Sequence, residues 1–210
     1  MMRCSAVLAR IVVTWCLGWF LCGMPFVSFA EQPAVIGQVV FLRGEVQVLR
    51  ADAPVIVKRR DRLFEGDHVS TGKGSRFSAK LLDGSVLTLG ESSDLAIKEY
   101  QFDAVSSRGS ALFRVTKGAF RVLTGEIQQM SQHRYQVETP VATIGVRGTD
   151  FWGGFIFGDQ LDVTVLSGKV FTQPSMGTTV TNSTAGAPPS DAKMWPQSKL
   201  DQAIASVSLD

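Results

Sequence analysis

Apolar and polar residues alternate with a period of two through most of residues 35–172. Val39 and Phe41, Val46 and Val48, and Val55 and Val57 each fall two apart on short segments. Successive side chains of an extended chain point to opposite faces, so the pattern predicts strands. Glycines punctuate these segments every few residues. The clearest turn is Asp83-Gly84, between apolar runs at 77–82 and 86–89, where a type I′ hairpin is expected because both central residues of that turn need positive φ. Apolar residues at helical spacing first occur near the C-terminus. The reading is an all-β domain.

Three segments repeat the order strand, glycine, strand. They read F-L-R-G-E-V-Q-V at 41–48, V-T-K-G-A-F-R-V at 115–122 and V-L-S-G-K-V-F at 165–171. Equivalent turns of this kind suit a twisted β-sandwich or a short β-solenoid, in which neighbouring layers bury each other's apolar face. The irregular spacing leaves both architectures open, along with unrelated turns that happen to look alike.

The densest stretch is E-T-P-V-A-T-I-G-V-R-G-T-D-F at 138–151. Thr139-Pro140 is expected to start an extended segment, because proline fixes its own φ and drives its predecessor out of the helical region. Ala142, Ile144 and Val146 then share one face, opposite Val141, Thr143, Gly145 and Arg147. Gly145 inside the strand predicts a close approach to its backbone. Arg147-Gly148-Thr149-Asp150 breaks the alternation with a glycine between opposite charges. The preferred reading makes Arg147 an internal lock, paired with Asp150 or with carbonyls of the turn, so that Arg147→Ala lowers thermal stability. The other makes it a forked donor presented to a partner's carboxylate or carbonyls. Phe151, Trp152 and Phe155 are read as core.

P-V-A-T-I-G-V-R-G-T-D-F, at 140–151, resembles the signature of the FecR domain family, periplasmic modules named after a regulator of iron(III)-citrate transport. E-G-D at 65–67 with Ser70-Thr71-Gly72 resembles a turn of the same family, in which Asp67 and Thr71 are expected to cap backbone donors. The resemblance implies a FecR-like β domain over residues 31–172. Within this stretch Thr139, Pro140, Gly145, Gly148 and Phe151 are read as a structural motif, and Arg147, Gly148, Thr149 and Asp150 as the hypothetical binding site. Well-known family members grip a sigma factor with a cytoplasmic segment, cross the inner membrane once and receive a signal from an outer-membrane transporter. Here only about ten residues precede the apolar segment, too few to fold by any packing argument, so direct sigma-factor binding is not expected.

Residues 1–30 read as a signal peptide. Arg3 and Arg10 precede the apolar run 11–23, and Ser28 and Ala30 set small residues where a signal peptidase reads, so cleavage is expected after Ala30. The alternative is an uncleaved inner-membrane anchor, although the run is short for a spanning helix. Cys4, Cys16 and Cys22 all lie in this segment, so the processed chain would have neither disulfides nor thiolate metal sites. The whole chain carries 21 Lys+Arg against 19 Asp+Glu. Removing Arg3 and Arg10 leaves 21 − 2 = 19 against 19, which argues against electrostatic binding of nucleic acid.

No catalytic motif, metal-ligand set or cofactor fingerprint emerges. His68 and His133 are far apart, and Gly72-Lys73-Gly74-Ser75 lacks the spacing of a phosphate loop. The basic run Lys58-Arg59-Arg60-Asp61-Arg62 reads as a solvated loop or edge guard. Residues 173–197 read as a linker, with a chance glycosylation sequon at Asn182. Residues 198–210 read as a short amphipathic helix with Leu200, Ile204 and Val207 on its apolar side, Ser198 as its cap and Trp195-Pro196 able to dock it on the sheet.

The expected function is an exported, periplasmic protein-binding module in signal relay, with no enzyme activity and no cofactor. Its partner would be an envelope protein such as a membrane receptor or transporter, and membrane association is expected only if the leader is retained. The alternative is a cell-envelope scaffold or a glycan- or surface-binding module.

Overall fold

The computed structural model describes residues 33–158, 160–173 and 195–209, with 170–173 described by backbone alone. The leader, most of the linker and the sequon lie outside the described residues. The strands are β1 (Val35–Arg43), β2 (Val46–Arg50), β3 (Ala53–Val55), β4 (Arg62–Phe64), β5 (His68–Thr71), β6 (Arg76–Leu81) and β7 (Val86–Leu89). They continue with β8 (Asp94–Asp103), β9 (Arg108–Lys117), β10 (Ala119–Leu123), β11 (Gln132–Glu138), β12 (Thr143–Gly154) and β13 (Asp162–Gln173). Among the described residues a single 3-10 turn, Glu126–Gln129, links β10 to β11, and one helix, α1 (Gln197–Ala205), follows.

All thirteen strands among the described residues belong to one sheet, ordered β3-β2-β5-β8-β9-β11-β12-β10-β7-β6-β1-β4, with β13 paired to β12. The all-β expectation holds, and a single sheet curls back so that both halves fill one core. The chain changes halves repeatedly. β1 passes to β2, β5 to β6, β7 to β8 and β9 to β10 at corners that stack against one another. Gly72 donates to the Glu45 carbonyl at 2.9 Å, Ser92 to the Gly72 carbonyl at 3.1 Å, and Gly90 to the Ala119 carbonyl at 2.8 Å.

The three glycines of the sequence repeat are all bends with positive φ: Gly44 at +77°, Gly118 at +82° and Gly168 at +83°. The solenoid expectation is met for one coil. β9, β10 and β11 wind once round the core, and β11 then lies parallel to β9 with Gln132 opposite Arg108, a repeat of 132 − 108 = 24 residues. Every other pairing among the described residues is antiparallel.

The alternation that predicts the strands also fills the core. On β9, Gly109, Ala111, Phe113 and Val115 face inward, with Arg114 outward. Ala111, Phe113 and Val115 belong to the same buried cluster as Phe77, Leu89, Phe120 and Phe151 of the other half. Each large side chain buried in this way contributes roughly 1.5–3 kcal/mol.

Two local expectations are corrected. At Asp83-Gly84 only Gly84 has positive φ, +82°, and Gly84 N–H donates to the Leu81 carbonyl at 3.1 Å. The turn is therefore type I followed by a glycine bulge. Asp83 is buried, with its carboxylate accepting from the Ser85 hydroxyl at 2.6 Å and the Tyr100 hydroxyl at 2.9 Å. Thr139-Pro140 does not begin β12. It forms the hairpin corner between β11 and β12, closed by Thr139 N–H to the Ala142 carbonyl at 2.8 Å and Ala142 N–H to Thr139 Oγ1 at 3.0 Å.

The caps are partly as expected. Asp67 accepts from Phe64 N–H at 3.0 Å, whereas Thr71 reaches across to the next corner, donating to the Gly90 carbonyl at 2.7 Å. α1 packs through Ala203 and, just beyond it, Val207, while Leu200 and Ile204 are half-buried. Its start has no side-chain cap from Ser198. Trp195 does dock it, stacking edge-on against Trp152 with ring centroids 5.9 Å apart.

Candidate functional site

β12 exchanges neighbours at Arg147-Gly148-Thr149. Its first part pairs with β11 over three rungs, Glu138↔Thr143, Val137↔Ile144 and Gln136↔Gly145. Its last part, from Asp150 to Gly154, pairs with β10. β13 follows along the other edge with an irregularity between Arg147 and Asp150. The break is anchored from the 3-10 side. Gly148, at φ +61°, donates to Gln128 Oε1 at 3.2 Å, and Thr149 N–H donates to Thr124 Oγ1 at 2.9 Å. Thr149 is buried, yet its hydroxyl oxygen has no partner, and neither has Gln128 Nε2.

The strand faces fall as the alternation predicts, with Ala142, Ile144 and Val146 buried. Phe151 and Trp152 are fully buried, and Phe155 is half-buried against the core. The lock is different from the one expected. Asp150 is gripped by Arg121 on β10, Nε to Oδ1 at 2.8 Å and Nη2 to Oδ2 at 2.6 Å. This hydrogen-bonded carboxylate holds the Arg121 pKa above its ordinary value, against the opposing effect of burial. The Arg147 side chain is exposed and makes no hydrogen bond or ion pair among the described residues. Its side of the sheet points outward, and a strand-borne arginine there keeps its charge in water.

Beyond Gln136↔Gly145 the β11–β12 ladder opens. The gap is a solvent-open groove of about 400 Å³ lined by His133, Arg134, Tyr135, Gln136, Gly145, Val146 and Arg147. Gly145 thus lies at the last rung before a cleft. Across β12 from this groove, Arg147 stands directly opposite Lys169 on β13. His133 holds the Met130 carbonyl at 2.6 Å, and His68 pairs with Asp94 at 2.8 Å. Among the described residues no three His, Cys, Asp or Glu side chains come together as a metal site.

Of the expected site residues, the fold brings Arg147 and Gly145 to the groove, ties Gly148 to Gln128, turns Thr149 inward and commits Asp150 to Arg121. Arg121, Arg134 and Lys169 escaped sequence reasoning. Their strand alternation marks them as outward-facing, but only the register brings them to Asp150 and Arg147.

Geometry and fold define an all-β module with a bent signature strand beside an open ladder. The family model described as FecR protein matches residues 67–171, half of the chain, and the chain belongs to the FecR family, a family of regulatory proteins. Two crystal structures of a candidate anti-sigma factor from Parabacteroides distasonis ATCC 8503, at 1.65 Å and 2.50 Å, are similar at 21% identity and a TM-score of 0.40. The likeness covers 50% of this chain and 46% of those, so the chain spans about half the length of the solved structures it matches. A search of curated proteins finds no match. Among the described residues no helix is long and apolar enough to cross a membrane.

Proposed function

We propose that this FecR-family protein is an exported, periplasmic binding module that relays a signal by docking an envelope protein on the β11–β12 groove. One observation carries the reading: the signature stretch presents Arg147 without a partner, on the rim of a ladder that opens at that point. A guanidinium held beside glycine backbone offers up to five donors in a planar fork, the arrangement that suits carboxylates and strand carbonyls. Strand edges with unspent backbone groups are common docking elements for extended segments.

The test is photocrosslinking in the native host, with the reactive residue placed at Gln136 in the groove or, for comparison, at exposed Lys80 on β6. Capture of one envelope protein from Gln136 and not from Lys80 supports the reading. Identical products from both positions, or glycan alone, would remove it. The same preparation tests export, since mass spectrometry of the processed protein should find Glu31 as its first residue.

A further inference from the structure

We infer that the docking segment is acidic and extended, and that it is held by a row of three basic residues running across three strands. The inference rests on the groove being the docking site proposed above. Arg147 and Lys169 are register partners and so share a face. Extending the β11–β12 register past its last rung, Gln136↔Gly145, would set Tyr135 against Val146 and Arg134 against Arg147. Those two rungs are the ones that fail to form, and the groove occupies their place. Arg134 and Arg147 therefore flank the opening from β11 and β12, both exposed, and Lys169 stands opposite Arg147 on the next strand.

Like charges set opposite one another across a sheet repel. Nothing among the described residues neutralises Arg147 or Lys169. Among the described residues Arg134 is engaged by Glu99, at 2.9 Å, with both side chains about half exposed, so this pair can rearrange at little cost. A chain with balanced charge after loss of its leader has no general excess of cations to explain such a row. Carboxylates spaced two residues apart on an extended segment would alternate onto one face and meet successive cations. An extended polypeptide also suits the open ladder, because its own N–H and C=O groups can use the strand edges that the missing rungs leave free. A compact anion such as phosphate would use the charges and leave those edges empty.

The experiment uses the processed full-length protein and fluorescein-labelled hexaglutamate as the probe, with inorganic pyrophosphate and anionic phosphatidylglycerol vesicles as competitors. Hexaglutamate should bind with an affinity that falls as salt rises. Arg147→Glu combined with Lys169→Glu should weaken it about tenfold or more, whereas Lys80→Glu on β6 should leave it unchanged. Circular dichroism melts of each variant confirm folding. No binding of hexaglutamate, equal loss with Lys80→Glu, or preferential binding of pyrophosphate or vesicles at the same residues would each overturn the inference. If Gln136 crosslinking in cells still captures its envelope protein in the Arg147→Glu/Lys169→Glu variant, the docking site stands and the acidic segment falls.

Discussion

Arg121 and Asp150 form a two-pronged ion pair that fastens β10 to β12 just past the bend in the signature strand, at 2.8 and 2.6 Å. Arg121 is 39% and Asp150 16% exposed, so water screens the pair partly. Replacing either with alanine should cost about 1 kcal/mol, and the charge-swapped Arg121→Asp/Asp150→Arg protein should recover part of it. A urea-melt double-mutant cycle measures the coupling. A coupling of zero would mean that the pair does not fasten the bend.

At Gly118, the corner from β9 to β10, two constraints coincide. The residue has φ +82°, and a methyl group there would lie 2.7 Å from Ser93 Cβ. Gly148 has a comparable φ, +61°, but open space around it. Gly118→Ala should therefore destabilise the fold by clearly more than Gly148→Ala, for which the left-handed conformation alone costs roughly 1–2 kcal/mol. Equal losses in chemical denaturation would show that the stacked corners give way more easily than their hydrogen bonds suggest.

Much of the architecture was legible in short-range pattern. The burial of Ala142, Ile144 and Val146 and the bends at Gly44, Gly118 and Gly168 follow from periodicity and from the conformations glycine permits. What could not be read was register over distance. Asp150 has a basic residue three positions away, yet its partner is 29 residues back, because a side chain on one strand meets those of the adjacent strand and chain neighbours point apart. The extended preference before Pro140 fits the start of a strand and a hairpin corner equally, and only the pairing of β11 with β12 distinguishes the two. The Arg134–Arg147–Lys169 row depends on three strands at once, so no local motif announces it.

Trp195 closes an aromatic triad with Trp152 and Phe157, each pair of centroids 5.9 Å apart, and Lys199 lies 4.3 Å from its ring centre while bridging to Asp162 at 2.7 Å. Apart from Ala203 and, just beyond the helix, Val207, which join Trp152 and Ala119 in a small cluster separate from the main core, α1 is exposed or half-buried, so its attachment should be local. Trp195→Ala is expected to loosen α1 by about 2 kcal/mol without unfolding the sheet. Amide exchange in 197–205 should rise well before exchange in β8 or β9. A global loss of protection instead would make the helix part of the cooperative core.

Asp94 sets an acid limit. Burial favours its protonated form, but hydrogen bonds from the Thr116 hydroxyl and the His68 ring outweigh this and hold its pKa below the ordinary carboxylate value. The unfolded chain therefore binds this proton at higher pH than the folded one does. The stabilisation is complete above the unfolded pKa, about 3.9, and is lost as pH falls through the lower folded value. Asp94→Asn should be less stable than the wild type at pH 7, and the gap should narrow below about pH 4. A constant gap down to pH 2 would assign the effect to packing.

Arg147 distinguishes a binding residue from a structural one. A lock predicts that its loss weakens the fold, but the observed side chain is exposed and faces Lys169 across the ladder. Exchanging one member of a like-charged cross-strand pair for its opposite replaces repulsion with attraction, worth roughly 0.2–1 kcal/mol at such positions. Arg147→Glu is thus expected to raise urea stability by about 0.5 kcal/mol, while the same change removes the cation at the groove's rim. Because the gain is electrostatic and exposed, it should largely vanish in 1 M salt, where the screening length is about 3 Å. Stabilisation that disappears with salt would mark Arg147 as a residue kept at the fold's expense for a partner. A loss of 1 kcal/mol or more, insensitive to salt, would restore it to the framework and leave the groove without its principal donor.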